Sequence, residues 1–385
     1  MFKKIHERGT RFFVIACGLF FFGILRLFIL RYIPIRGLYL GSPFLADLLG
    51  KGFLIPLWLI ILSDVLNLVL LLIVGEKILG KNYGFLAPVF YAISPWPAYL
   101  SLSGSIYIFI LFGVLLFYLG LTLIKEDQNF LGTAFILLGL GITVYSNSSM
   151  LFVLPFLLWG AYKSGQFTKK KSKAIITLLP LVLLPIIFFS ALHQDSLRQI
   201  AAKDISLFDE VGLINSVNAF RGEVSSAGYP ILGKLIENKI TYLGRHVIFN
   251  TLTTFAPYTY FTQQFKLLGF SFTPPIFLGL LIPFLYAITL MFKIKVEKRY
   301  LFLLTLPLLA PTILRTYSPD LNSLVLILPT ILFISSWGTE ELIKNRKRLF
   351  VVIVIVLVFL QGSTTLFDIS TREPIRYQNS VQPER

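Results

Sequence analysis

Long apolar runs follow one another along this chain, and one polar stretch, roughly His193 to Leu268, interrupts them. Runs near 20 residues match the ~30 Å hydrocarbon core of a bilayer, so they predict membrane helices. The residues between the runs set the orientation. Lys163, Lys169, Lys170, Lys171 and Lys173 precede the polar stretch, and Lys293, Lys295, Lys298 and Arg299 follow it. Short connections rich in Lys and Arg stay on the cytoplasmic side. The polar stretch is therefore expected on the extracytoplasmic face.

Carried along the chain, the same rule gives a consistent alternation. Apolar runs are predicted as helices at about 12–30, 53–74, 85–99, 107–124, a hairpin turning at 145–149 and returning by 159, then 174–192, 275–291, 300–314, 321–336 and 350–360. That makes an all-α, polytopic membrane protein of about eleven spans, N-terminus inside and C-terminus outside. The expected organisation is an N-terminal helix bundle over residues 1–192, an extracytoplasmic cap over 193–272, C-terminal helices over 273–362 and a polar tail over 363–385. The first run is too long for a signal-peptide core and is followed by Arg31 and Arg36, so it reads as a retained helix. Prolines inside the runs, among them Pro88, Pro95, Pro155 and Pro311, are read as kinks rather than breaks.

Composition agrees. The 385 residues are 56% hydrophobic and 14% charged, too few charges to cover a soluble surface. The net charge of +16 lies mainly in the short connections, which assigns it to topology and anionic lipid headgroups, not nucleic acid. A single cysteine, Cys17, excludes an intrachain disulfide, and three histidines are too few for a His-rich metal centre.

Candidate chemistry then falls to carboxylates and cations on the outer face, because the phosphate-loop, zinc-helix and nucleophile-elbow motifs are absent. The first outer loop carries Arg31, Arg36 and Lys51 with one acid, Asp47. Cations outside run against the usual bias. They fit either a phosphate held by the forked guanidinium or snorkelling to headgroups. In the polar stretch, Arg221, Glu223, Lys239, Arg245 and His246 accompany Ile231, Leu235, Ile240 and Leu243 at helical spacing. That pattern predicts an amphipathic cap lying on the membrane. Asp64 and Asn67, inside the second helix, are expected to be buried and hydrogen-bonded.

Three stretches resemble the GT-C superfamily of membrane glycosyltransferases: Gly80 to Pro95 with its Ser-Pro end, Asn147 to Pro155, and Leu326-Ile-Leu-Pro329 before Trp337-Gly338. The resemblance implies transfer of a sugar from a polyprenyl-phosphate donor to a glycan, lipid or protein acceptor at the extracytoplasmic face of the cytoplasmic membrane. It also implies a carboxylate base near Asp47, with Glu223 as competitor, and leaves a divalent cation open. The family usually carries an acidic pair in a longer first outer loop. Either Asp47 serves alone or the chain is a diverged, inactive relative. The alternatives are a polymerase, ligase or flippase of polyprenyl-linked glycans, and a non-enzymatic scaffold or transporter. A transporter should show broken helices and repeat symmetry, and no internal repeat is evident.

Overall fold

The computed structural model of the chain describes residues 14–24, 26–27, 57–80, 83–102, 104–147, 150–163, 178–180, 183–184, 210–229, 231, 236, 238–262, 265–267, 270–272, 274–291, 306–313, 321–345 and 347–367. Helices carry most of them. Four are long and apolar enough to cross a membrane: Trp58–Leu79, Ile106–Lys125, Asn129–Ser146 and Asn322–Lys344. Others among the described residues are shorter apolar segments, and parts of the runs expected over 12–30, 174–192 and 300–314 lie outside the described residues.

In chain order, α1 is Val14–Ile24 and α2 is Leu57–Leu79. The bundle continues with α3 (Leu86–Ile93), α4 (Pro95–Leu102), α5 (Ile106–Lys125), α6 (Asn129–Ser146) and α7 (Met150–Lys163). The polar stretch holds α8 (Glu210–Ser226), α9 (Lys239–Phe255), α10 (Pro257–Phe261) and a small antiparallel hairpin that pairs Phe265 with Phe272. Then come α11 (Leu281–Met291), α12 (Ala310–Ile313), α13 (Leu321–Leu324), α14 (Leu328–Lys344) and α15 (Arg348–Phe367). A 3-10 turn, Val325–Ile327, joins α13 to α14 without interrupting the span.

Pro95 corrects the expectation that every proline marks a kink. The run predicted over 85–99 is two helices, because Ser94 is extended (φ −68°, ψ 129°) and Pro95 opens a new one. Proline lacks the N–H that would continue the ladder and pushes its predecessor out of the helical region. The Ser94 backbone N–H donates to both the Phe90 and the Tyr91 carbonyls, at 3.1 and 3.2 Å. The Tyr91 acceptor that Pro95 cannot serve thus keeps a donor, and the Ser94 hydroxyl adds a second bond to Phe90 at 2.6 Å.

Close packing holds the bundle. Gly113 and Gly120 on α5 face Gly139 and Gly132 on α6, one pair on each side of two helical turns. A Cβ on Gly113 would meet the Gly139 carbonyl oxygen at 2.8 Å, and one on Gly120 would meet that of Gly132 at 2.6 Å. Lipid supplies no hydrophobic drive between helices, so backbones in contact through small residues are what binds them.

Contacts between helix ends show which turns share a side. Lys77, near the end of α2, pairs with Glu126 just past α5, and the Lys344 ammonium lies 6.0 Å from the Tyr83 ring. At the opposite end Asn147 donates to the Tyr107 hydroxyl at 3.0 Å. The Trp96 and Tyr260 rings lie 6.2 Å apart there, bringing α10 to the same end. This is the grouping that the charge alternation predicts.

Candidate functional site

Two polar constellations stand out. The first is buried among the spans. Asp64 lies on the order of 10 Å inside the start of α2, at 1.5 Å per residue. Its Oδ2 accepts from Arg26 Nε at 2.7 Å and its Oδ1 accepts from the Tyr91 hydroxyl at 2.5 Å. Asp64 is fully buried and Arg26 is 7% exposed. One helical turn on, Asn67 donates through Nδ2 to the Ile108 carbonyl at 3.1 Å. The Arg26 guanidinium also stacks on Phe22, 3.4 Å from the ring centroid.

Charges at this depth persist only when paired and hydrogen-bonded, and this pair is both. Asp64 and Asn67 are thus buried and bonded, as expected of them. The partnership with Arg26 was not read from the sequence, although the signal was present: Arg26 near the outer end of the first helix and Asp64 near the outer start of the second lie at similar depth with opposite sign. Two polar atoms, Arg26 Nη2 and Asn67 Oδ1, have no partner among the described residues.

The second constellation lies on α8, α9 and α10, in the segment that the sequence predicts as a cap. Asn238 caps α9: its side chain accepts from the Ile240 and Thr241 N–H groups at 2.9 and 3.0 Å, and Thr241 Oγ1 accepts from its backbone N–H, a reciprocal capping box. Asn250 donates to the Ile313 carbonyl at 2.9 Å and so ties the middle of α9 to the end of α12. Nearby, Thr312 and Ser323 share a 2.5 Å hydrogen bond that joins α12 to α13. The Tyr260 hydroxyl donates to the Thr254 carbonyl at 2.6 Å, and burial pushes that hydroxyl well above its usual pKa.

Between the cap and the spans lies a cavity of about 170 Å³. Its walls include Thr254, Tyr260, Phe284, Leu309, Ile331 and Ile334. They are almost wholly apolar, and Thr254 Oγ1 is buried with no partner among the described residues. Neither the cavity nor Thr254 was signalled by any motif, because its lining comes from the consecutive helices α9 and α10, from α11, from the turn that holds Leu309 and from α14 with the 3-10 turn before it, segments far apart in sequence.

The residues singled out from sequence divide as follows. Asp47, Arg31 and Arg36 lie outside the described residues. Glu223 is exposed on α8, and Arg221, two residues before it, is half-buried. Lys239 opens α9 and is exposed. The Arg245 guanidinium lies 5.6 Å from the Phe220 ring, and His246 packs its ring 4.1 Å from that of Tyr242. Nδ1 of His246 is 3.2 Å from the Tyr242 carbonyl, a contact that holds the imidazole against its own helix. The cap cations therefore gather along α8 and α9, and no acid shares α9 with them.

No family model matches the chain and no curated protein is similar to it. Fold and composition define it as a helical membrane protein.

Proposed function

We propose that the protein transfers a sugar from a polyprenyl-phosphate donor to an acceptor at the extracytoplasmic face of the membrane. The observation that carries this reading is the apolar cavity under the cap. It is suited to the hydrocarbon part of a lipid-linked substrate; Lys239, Arg245 and His246 lie on α9, whose last turn lines it, and Arg221 lies on α8, which packs against α9. In the reaction an acceptor hydroxyl attacks the anomeric carbon, the bond from that carbon to the phosphate oxygen breaks, and polyprenyl phosphate leaves. The hydroxyl proton passes to a carboxylate, Asp47 or Glu223. Cations near the phosphate stabilise its developing charge, and a positioned base contributes about 100- to 10,000-fold in rate.

The test is transfer by the purified protein in nanodiscs, with a polyprenyl-phosphate sugar labelled in the sugar and an envelope lipid extract as acceptor. Label should move to acceptor in the native protein and fail to move in Asp47→Asn, with Glu223→Gln reporting on the alternative base. No movement from any hexose or pentose donor would overturn the reading.

A second reading, a solute transporter, is favoured by one observation: the break between α3 and α4 at Ser94, near the buried Asp64–Tyr91 bond. Broken helices beside intramembrane charges mark transport sites. Gradient-driven solute uptake by proteoliposomes, lost in Asp64→Asn, would favour it.

A further inference from the structure

Helix α9 has its polarity reversed. At about 100° per residue, Tyr242, His246, Asn250 and Thr254 fall on one stripe, while Ile240, Ile248, Leu252 and Phe255 fall on the opposite arc. The stripe facing protein is the polar one: Tyr242 is 5% exposed, Asn250 1% and Thr254 1%. The outward arc is the apolar one, with Ile240 82% exposed, Ile248 63%, Leu252 66% and Phe255 52%. A surface in water with this many large apolar side chains in one patch is a liability, so something covers it.

Three observations say what does. Charge comes first: α9 carries Lys239 and Arg245 and no acid. Position comes second, since the Asn250–Ile313 bond anchors the middle of α9 to the end of α12, which packs on the apolar helix α7. The third is likeness of surface. The helix α15 exposes Val352, Ile355 and Phe359 in the same way, as a lipid-facing helix does, whereas α9, with its polar inner stripe, is not among the helices apolar enough to span.

We infer that α9 lies flat in the membrane interface, its apolar arc sunk into the leaflet beneath the cap, and that its cations recognise anionic lipid headgroups. Arg245 falls at the border of the arc with its guanidinium over the Phe220 ring, and its long stem lets the charge sit at headgroup level while Ile248 and Leu252 stay in hydrocarbon. On the inner stripe Asn250 meets the Ile313 carbonyl, which accepts from it, and the apolar arc is left for lipid. The inference stands apart from the transferase reading and needs only that the spans sit in a bilayer.

Single spin labels test it in the full-length protein, reconstituted in phosphatidylcholine vesicles with and without phosphatidylglycerol. In a Cys17→Ala background, cysteines replace Ile248, Leu252, Phe255 and, as a water-facing reference, the exposed Ser225. Labels at 248, 252 and 255 should collide with oxygen severalfold more, relative to a water-soluble nickel complex, than the label at 225. Nickel access at 248 and 252 equal to that at 225 would place the arc in water. Low access to both reagents would mean that a second copy or another protein covers it. Either result overturns the inference. With phosphatidylglycerol present, the label at 252 should sit deeper, and Lys239→Gln with Arg245→Gln should remove that gain. Equal depth in both would overturn the headgroup part.

Discussion

Helices α5 and α9 are close in length, 20 and 17 residues, and reverse each other in how they use their faces. In α5 nearly every side chain is buried, apolar against apolar, with glycines where α6 comes nearest. In α9 Tyr242, Asn250 and Thr254 are turned inward, and Ile240, Ile248, Leu252 and Phe255 outward. The contrast teaches that apolar content does not decide which face of a helix meets protein in a membrane. Lipid satisfies an isoleucine as well as a protein interior does, but it offers nothing to an asparagine or a threonine. Polar groups therefore claim the protein contacts, as Asn250 does on Ile313 and Asp64 does on Arg26.

The largest effect is expected where that rule bears on a charge. Arg26→Met leaves the Asp64 carboxyl group buried without its cation, a loss of about 3–5 kcal/mol. It should show as a collapsed monodisperse yield in detergent. Arg26→Met combined with Asp64→Leu removes both charges and should recover most of the yield. A double variant no better than the single one would mean that the pair specifies the fold as well as neutralising itself.

Next comes the α5–α6 seam, the apolar counterpart. Gly139→Val sets a branched side chain against the backbone around Gly113 and should cost about 1–3 kcal/mol or more as overpacking. The check is thermal aggregation in detergent, with Gly23→Val as control, since nothing among the described residues lies within 4 Å of a Cβ at Gly23. Equal melting of the two would break the small-residue account of the seam.

A smaller effect is expected in the cap. Asn250→Leu leaves the Ile313 carbonyl without its donor, a cost of about 1–3 kcal/mol. Hydrogen exchange should rise across 239–262 and stay unchanged in α5. A rise in both would mean that cap and bundle unfold as one unit.

The smallest is Asn238→Ala, which removes the cap of α9 and should cost about 0.5–2 kcal/mol. Exchange should speed up in the first turn of α9 alone, with Asn238→Ser restoring most of the protection.

Much of the bundle was legible in the sequence. The run predicted over 107–124 is the helix Ile106–Lys125, and the turn predicted at 145–149 falls between α6 and α7. Both follow from hydropathy, because a lipid-spanning helix must be apolar for its whole length and must stop where polar residues collect. Helix ends that carry charge were placed less well. The second helix runs on to Leu79 instead of stopping near 74, since Lys77 finds Glu126 at the boundary. The late helix runs on to Lys344 instead of ending near 336, because Glu340 pairs with Lys344 one turn away at 2.5 Å and Gly338 packs against Pro283.

The sequence by itself determined that this is a helical membrane protein, which connections share a side, and that Asp64 would be buried and bonded. Those conclusions rest on local composition, which hydropathy and charge report residue by residue. Only the tertiary structure decided that Arg26 is the partner of Asp64, that Pro95 opens a separate helix, that α9 turns its polar stripe inward, and that four distant segments enclose a cavity around Thr254. Each depends on which residue lies opposite, and a partner 38 positions away, as Arg26 is from Asp64, leaves no periodic trace along the chain.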